Sequence, residues 1–237
     1  MLFSHHVQLL AAMSSSLKPI KSYGSVGPNP PKMILEELGL PYEIQKVGIA
    51  DVKSPEYTTI NPNGRLPAIY DPNTDLTLWE SGAIVEYLIE TYDKDNKISF
   101  PKGSNESYLT KQWLYFQVSG QGPYYGQAVW FHKYHPEKIQ SAVDRYIKEI
   151  YRVTGVVEGH LAKEKAKGTS SDGPWLVGGK ITFADIAWYM WSAIIGSILP
   201  EGSISYDEYP LVKDWLARLG ERPSVKHGKG LVSPPQQ

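Results

Sequence analysis

Asn61-Pro-Asn-Gly-Arg-Leu-Pro-Ala-Ile-Tyr70, Asp71-Pro-Asn-Thr-Asp75 and Leu76-Thr-Leu-Trp-Glu-Ser-Gly-Ala-Ile-Val-Glu-Tyr-Leu88 follow one another without a gap, and the pattern changes at each boundary. The turn-rich Asn61-Pro-Asn-Gly64 precedes a short apolar run, Leu66 to Tyr70. The Asp/Pro/Asn cluster at 71–75 separates that run from a second, Leu76 to Trp79, as a hairpin loop separates two strands. From Glu80 the spacing becomes helical: Ala83, Ile84, Tyr87 and Leu88 share one face of a segment reaching about Tyr92. Upstream, Pro19 to Gly24 reads as a short strand ending at a glycine. Pro30 to Leu38 reads as a helix with Met33 and Ile34 on a mixed face, and Tyr42 to Val47 alternates as a strand does.

The resulting order, βα-βα-ββα over residues 19–95, is that of a thioredoxin-like module. Beyond Lys94 the strand signals stop, and an all-helical domain is expected over 105–226. Tyr108 to Val118 is helical. A longer helix begins near Pro136, with Val143, Ile147, Ile150, Thr154, Val157 and Leu161 at steps of three and four. Thr182-Phe-Ala-Asp185 opens another as a variant capping box, with Ile181 and Ile186 as its staple. A last helix, Leu211 to Leu219, stops at Gly220. Gly168 to Gly173 is a loop. Residues 1–18 are expected to be a disordered extension and 227–237 a tail.

Composition excludes several functions. The 237 residues carry a net charge of -1 with scattered Lys and Arg, so no basic stripe is available for nucleic acid. The longest uncharged apolar run, Ile186 to Leu199, is shorter than the roughly 20 residues a spanning helix needs, so a soluble, cytoplasmic protein is expected and no membrane partner. There is no cysteine, which removes disulfides, thiolate metal sites and a cysteine nucleophile. Any thiol chemistry must use a ligand's thiol. His132 and His135 lack a further ligand cluster, so no metal is expected.

The run Asn61 to Ile69 followed by Leu78 to Leu88 resembles the glutathione-binding signature of the glutathione transferase superfamily. With Gly27-Pro-Asn29, Trp113-Leu-Tyr-Phe-Gln117, Gly122-Pro-Tyr-Tyr-Gly-Gln127, Ile181-Thr-Phe-Ala-Asp185 and Glu221-Arg-Pro-Ser224, it is similar to the fungal branch related to the yeast nitrogen-catabolite regulator. It is also similar to the bacterial nu class. The resemblance implies glutathione as co-substrate, a homodimer built by packing the first domain against the partner's second, and a small electrophile, disulfide or peroxide as the other reactant.

It also implies site residues. Ser81 would hold the γ-glutamyl carboxylate at a helix start, and Glu80 the ammonium of the same ligand; read alone, Ser81 would cap its helix and Glu80 complement its dipole. Leu66 and Pro67 would form a cis peptide whose backbone faces the ligand, beside Arg65. Asn29 matches the branch's sulfur-binding asparagine, although Asn29 before Pro30 is equally a helix-capping arrangement. Gly27 stands where nu-class members have a threonine, and Ser25 is the reserve hydroxyl. Tyr124, Tyr125 and Trp130 are expected either to line a second-substrate pocket between the domains or to be core. Two functions follow: a glutathione-dependent enzyme, or a glutathione-binding regulatory module. The absence of a long Asn/Gln-rich segment tips the expectation towards the enzyme.

Overall fold

The structure is a computed structural model that describes residues 17–24 and 29–230. The described residues divide into two compact units, one comprising the chain up to Lys94 together with the helix beginning at Pro223, the other Asp95–Arg222.

In the first unit, β1 (Ile20–Gly24), β2 (Tyr42–Lys46), β3 (Ala68–Asp71) and β4 (Leu76–Trp79) form a sheet in the order β2-β1-β3-β4. The β1–β2 pair is parallel, and β1–β3 and β3–β4 are antiparallel. Helix α1 (Pro30–Leu38) starts on Asn29, has prolines at its first two positions, and buries Met33, Ile34 and Leu35. It stops at Gly39, whose φ of 66° is a left-handed value that costs glycine little. A 3-10 turn, Ile49–Lys53, and the one-turn helix α2 (Pro55–Thr58) lead towards β3.

Helix α3 (Ser81–Tyr92) buries Ile84, Val85 and Leu88. It is tied to the hairpin by Asp71, which is fully buried and accepts hydrogen bonds from the hydroxyls of Tyr87 and Tyr92 and from the Asn73 amide. The loop 71–75 is therefore held by its own first residue, an Asx turn with a long-range role.

The second unit is helical. Helix α4 (Asn105–Phe116) does not end where glycines suggest a break. A π-type turn, Gln117–Gln121, carries it into α5 (Gly122–Val129), and another, Trp130–Tyr134, extends that. The wide turns absorb Gly120, Gly122 and Pro123 without ending the helical path. Helix α6 (Gln140–Lys167) starts later than Pro136 because the Glu137 N–H bonds to the His135 ring in a local turn. Its stripe, Val143, Ile150, Thr154, Val157 and Leu161, is buried. Helices α7 (Phe183–Ile198) and α8 (Pro210–Gly220) complete the unit. The final helix, α9 (Pro223–Gly230), lies beyond Gly220, where the sequence pattern ends its last helix. It packs on α1 in the first unit, with the Ser224 hydroxyl donating to Glu37 at 2.6 Å. Among the described residues no helix is long and apolar enough to cross a membrane.

Asp185 is the polar centre of the second unit. It is fully buried, and one carboxylate oxygen accepts from the Leu176 N–H at 2.9 Å and the Trp215 indole N–H at 3.0 Å. The other accepts from the Thr182 N–H at 2.8 Å and its hydroxyl at 2.7 Å. Asp185→Ala strands these donors in a dry interior, at roughly 1–3 kcal/mol for each left unsatisfied. Chemical denaturation should accordingly show a loss of at least about 4 kcal/mol. Asp185→Asn, which keeps one acceptor oxygen, should lose less.

Candidate functional site

Ala68 pairs with Tyr23 of β1 and with Trp79 of β4, so three adjacent strands end level with one another. From this end the chain runs on through Gly24 towards Asn29, arrives through Leu66–Pro67, and leaves through Glu80–Ser81. The topology thus sets Leu66–Pro67 and Glu80–Ser81 at one end of the sheet. Ser25 lies outside the described residues.

Glu80 has φ 73° and ψ 114°, in the left-handed half of backbone space. For a side-chain-bearing residue this costs on the order of 1–3 kcal/mol and is held only where the surroundings dictate it. The Glu80 carbonyl accepts the Ile84 N–H at 3.0 Å, which opens α3, but the Glu80 side chain does not cap the helix. Ser81 is its first helical residue and so does not cap it. The N–H groups of the first turn and the positive end of the helix dipole are left for an anion. The Glu80 carboxylate is met at 3.4 Å by the Asn63 side-chain amide, and the Asn63 carbonyl accepts from the Lys53 ammonium at 2.8 Å. Lys53 and Asn63 therefore join the neighbourhood. No local pattern marks them, because their partners lie 10 and 17 residues away.

The Leu66–Pro67 peptide is cis. Leu66 is half-buried and Arg65 exposed. Asn29 caps α1: its side-chain oxygen accepts the Lys32 N–H at 3.1 Å. That bond assigns the amide, since only the oxygen can accept, and it leaves the donor end of the group distinct from the capping end. An open depression of about 270 Å³ lies beside β2, lined by Tyr23, Gln45, Lys46, Asp51, Ser54 and Tyr57 among others.

In the helical unit the three aromatic candidates differ. Tyr125 is 1% exposed, with its hydroxyl 3.4 Å from that of Thr154 and its ring against Trp191, which makes it a core residue. Tyr124 is half-buried below the Arg152 guanidinium, and Trp130 is 48% exposed beside Tyr134. Only the latter two have surface to offer a ligand.

Residues 30–91 match the model of the glutathione S-transferase N-terminal domain, and residues 123–223 that of its C-terminal domain. The chain belongs to the glutathione S-transferase family. A glutathione S-transferase-like protein of Aspergillus fumigatus is 58% identical over 221 residues, 92% of this chain and 98% of that one. The transcriptional regulator URE2 of Saccharomyces cerevisiae is 35% identical, over 81% of this chain and 62% of the regulator. The solved glutathione transferase URE2P6 of Phanerochaete chrysosporium, in complex with oxidized glutathione, has a TM-score of 0.81 and 46% identity over 90% of this chain and 96% of its own. The thioredoxin-like and helical arrangement expected from the sequence is that of this family.

The capping bond separates two variants at Asn29. Asn29→Ala should lower stability by about 0.5–2 kcal/mol, whereas Asn29→Asp retains an acceptor at the helix start and should stay within about 0.5 kcal/mol of the parent. Chemical denaturation of both checks this.

Proposed function

We propose that this protein is a glutathione-dependent enzyme in which the thiolate of bound glutathione is the nucleophile. What supports this reading is that the start of α3 with Ser81 and the Leu66 backbone adjoin the paired ends of β3 and β4, and that Asn29 opens the helix that follows β1. Each offers what one part of the ligand requires. The first turn of α3 and the Ser81 hydroxyl receive the γ-glutamyl carboxylate, and the Glu80 carboxylate receives the neighbouring ammonium. Leu66, between Arg65 and Pro67, presents a backbone edge to the cysteinyl unit, as a sheet edge accepts a strand. The Asn29 amide donates to the sulfur. A free thiol has a pKa of about 8.5, and lowering it by two units takes roughly 2.7 kcal/mol. A hydrogen bond and the positive end of α1 are of that size together.

The chain has no cysteine, so the reaction runs through glutathione alone. Towards a disulfide, the thiolate attacks one sulfur and expels the other as a thiolate. A second glutathione thiolate then attacks the mixed disulfide, giving oxidized glutathione and the remaining thiol. Towards a peroxide, two glutathiones are oxidised while the O–O bond is reduced to alcohol and water. Towards an electrophilic carbon, a thioether forms and the leaving group departs. The relative solved with oxidized glutathione supports the disulfide branch. Tyr124 and Trp130 are proposed contacts for the second substrate, and the protein is proposed to act as a cytoplasmic homodimer. The similarity to the yeast transcriptional regulator favours a second reading, a glutathione-binding module that acts through protein partners.

Steady-state turnover with glutathione and hydroxyethyl disulfide, cumene hydroperoxide or chlorodinitrobenzene separates the two readings, with calorimetry reporting binding. Asn29→Asp should cut turnover at least about tenfold, because a carboxylate repels the thiolate where an amide donates, yet retain the helix cap. The pKa of bound glutathione, followed by thiolate absorbance, should rise in the same variant. Tight binding of glutathione without turnover on any of the three co-substrates would favour the second reading instead.

A further inference from the structure

Leu66 precedes β3, so no ladder bond fixes the direction of its amide. Among the described residues no backbone group accepts from its N–H. Its direction is set from the other end of the same peptide. The Arg65 carbonyl accepts two hydrogen bonds, from the Tyr57 hydroxyl at 2.8 Å and from the Asn61 side-chain amide at 2.7 Å. Both donors are buried, Tyr57 at 3% and Asn61 at 2% exposure. The Arg65–Leu66 bond is an ordinary trans peptide, planar, with C=O and N–H pointing in opposite directions. Drawing the carbonyl onto Tyr57 and Asn61 therefore turns the Leu66 N–H away from them.

The clamp is itself well held. Asn61 uses its side-chain oxygen to accept the Asn63 N–H at 3.0 Å, and its own carbonyl accepts the Gly64 N–H at 2.8 Å. One residue thus shapes the whole loop from 61 to 65. Tyr57 sits in the single turn of α2, its ring tilted against that of Tyr23 with centroids 6.4 Å apart. Burial pushes the Tyr57 phenol up from its ordinary pKa, so it remains a donor across the physiological range.

We propose that Tyr57 and Asn61 are positioning residues that, by clamping the Arg65 carbonyl, aim the Leu66 N–H at the cysteinyl carbonyl of glutathione. The assignment rests on the glutathione reading given above. In this assignment both side chains act through one peptide group. A hydrogen bond in a sheet-like edge contributes only when its donor is already oriented, so the clamp supplies orientation in advance of binding.

Two variants of the full chain test this. Tyr57→Phe removes only the hydroxyl. Asn61→Asp keeps the acceptor for Asn63 but sets an oxygen against the Arg65 carbonyl. In Tyr57→Phe the Kd for glutathione by calorimetry, and its KM, should rise about three- to tenfold, with kcat at saturating glutathione within about twofold. In the ligand-free protein, the Leu66 amide signal in a proton–nitrogen correlation spectrum should move. Asn61→Asp should raise the Kd further. Unchanged Kd in both variants would overturn the proposal, as would weakened binding with an unmoved Leu66 signal, or a fall in kcat with KM constant. If the parent protein itself failed to bind glutathione, the glutathione reading and the ligand half of this proposal would fall together. The Leu66 signal, read without ligand, distinguishes that failure from failure of the clamp.

Discussion

Ala68 is paired on both sides, with Tyr23 and with Trp79, and the site depends on that double register. Because side chains alternate along a strand, a slip of one residue in either ladder would turn every β3 side chain to the opposite face of the sheet. Ile69, fully buried between Ser22 of β1 and Leu78 of β4, resists such a slip because its close-packed contacts would be lost. The same register decides where the chain departs from each strand. Leu66–Pro67 and Glu80–Ser81 stand together because both lie just outside the pair that Ala68 makes with Trp79.

The direction of α3 follows from a second constraint. Asp71, at the far end of β3, binds the hydroxyls of Tyr87 and Tyr92, so the last half of α3 is fastened to the hairpin turn. Ile84, Val85 and Leu88 fasten the middle. With the strand fixed by its ladder and the helix by these contacts, one residue must make the junction, and that residue is Glu80. Its positive φ is the geometric consequence, and the surrounding contacts offset the strain. The residue at the cap position of α3 is thereby a glutamate whose side chain does not cap the helix but bonds to Asn63 instead. The proposed anion site is thus a product of the fold's closure.

Much of this was legible in the sequence because the deciding signals are local. The hairpin between Tyr70 and Leu76, the prolines that open α1, the stripe from Val143 to Leu161 and the Thr182–Asp185 start each need only a few neighbouring residues to be read. The glycines after Phe116 were not legible as packing residues. A Cβ on Gly120 would come within 2.7 Å of the Phe116 ring, so the glycine marks a close approach inside a continuing helical path and not a break. The helix α9 is short and glycine-containing, and its hold on α1 through Ser224 and Glu37 joins residues 187 positions apart. No window of sequence contains that bond. The same is true of the site's details: the residue types at 29, 66, 80 and 81 are visible in the chain, but the strain at Glu80 and the partners of Lys53 appear only when the strands are paired.

Asn29 shows how two readings that compete in a sequence can be compatible in a structure. As a helix cap it must supply an acceptor, and as a thiolate ligand it must supply a donor. An amide carries one of each at opposite ends, and the bond from the Lys32 N–H fixes which end is engaged by the helix. Serine or threonine would also cap, with a single hydroxyl shared between the two tasks. Aspartate would cap as well, and would present a second negative charge to the sulfur. Among the preferred capping residues, asparagine is therefore the one whose capping bond holds a separate amide donor in place. The prolines at 30 and 31 strengthen the arrangement, because they restrict the backbone at the helix start and contribute no N–H groups of their own to compete for that oxygen. The capping bond orients the side chain on which the proposed chemistry relies, so fold and function use the same residue without drawing on the same atom.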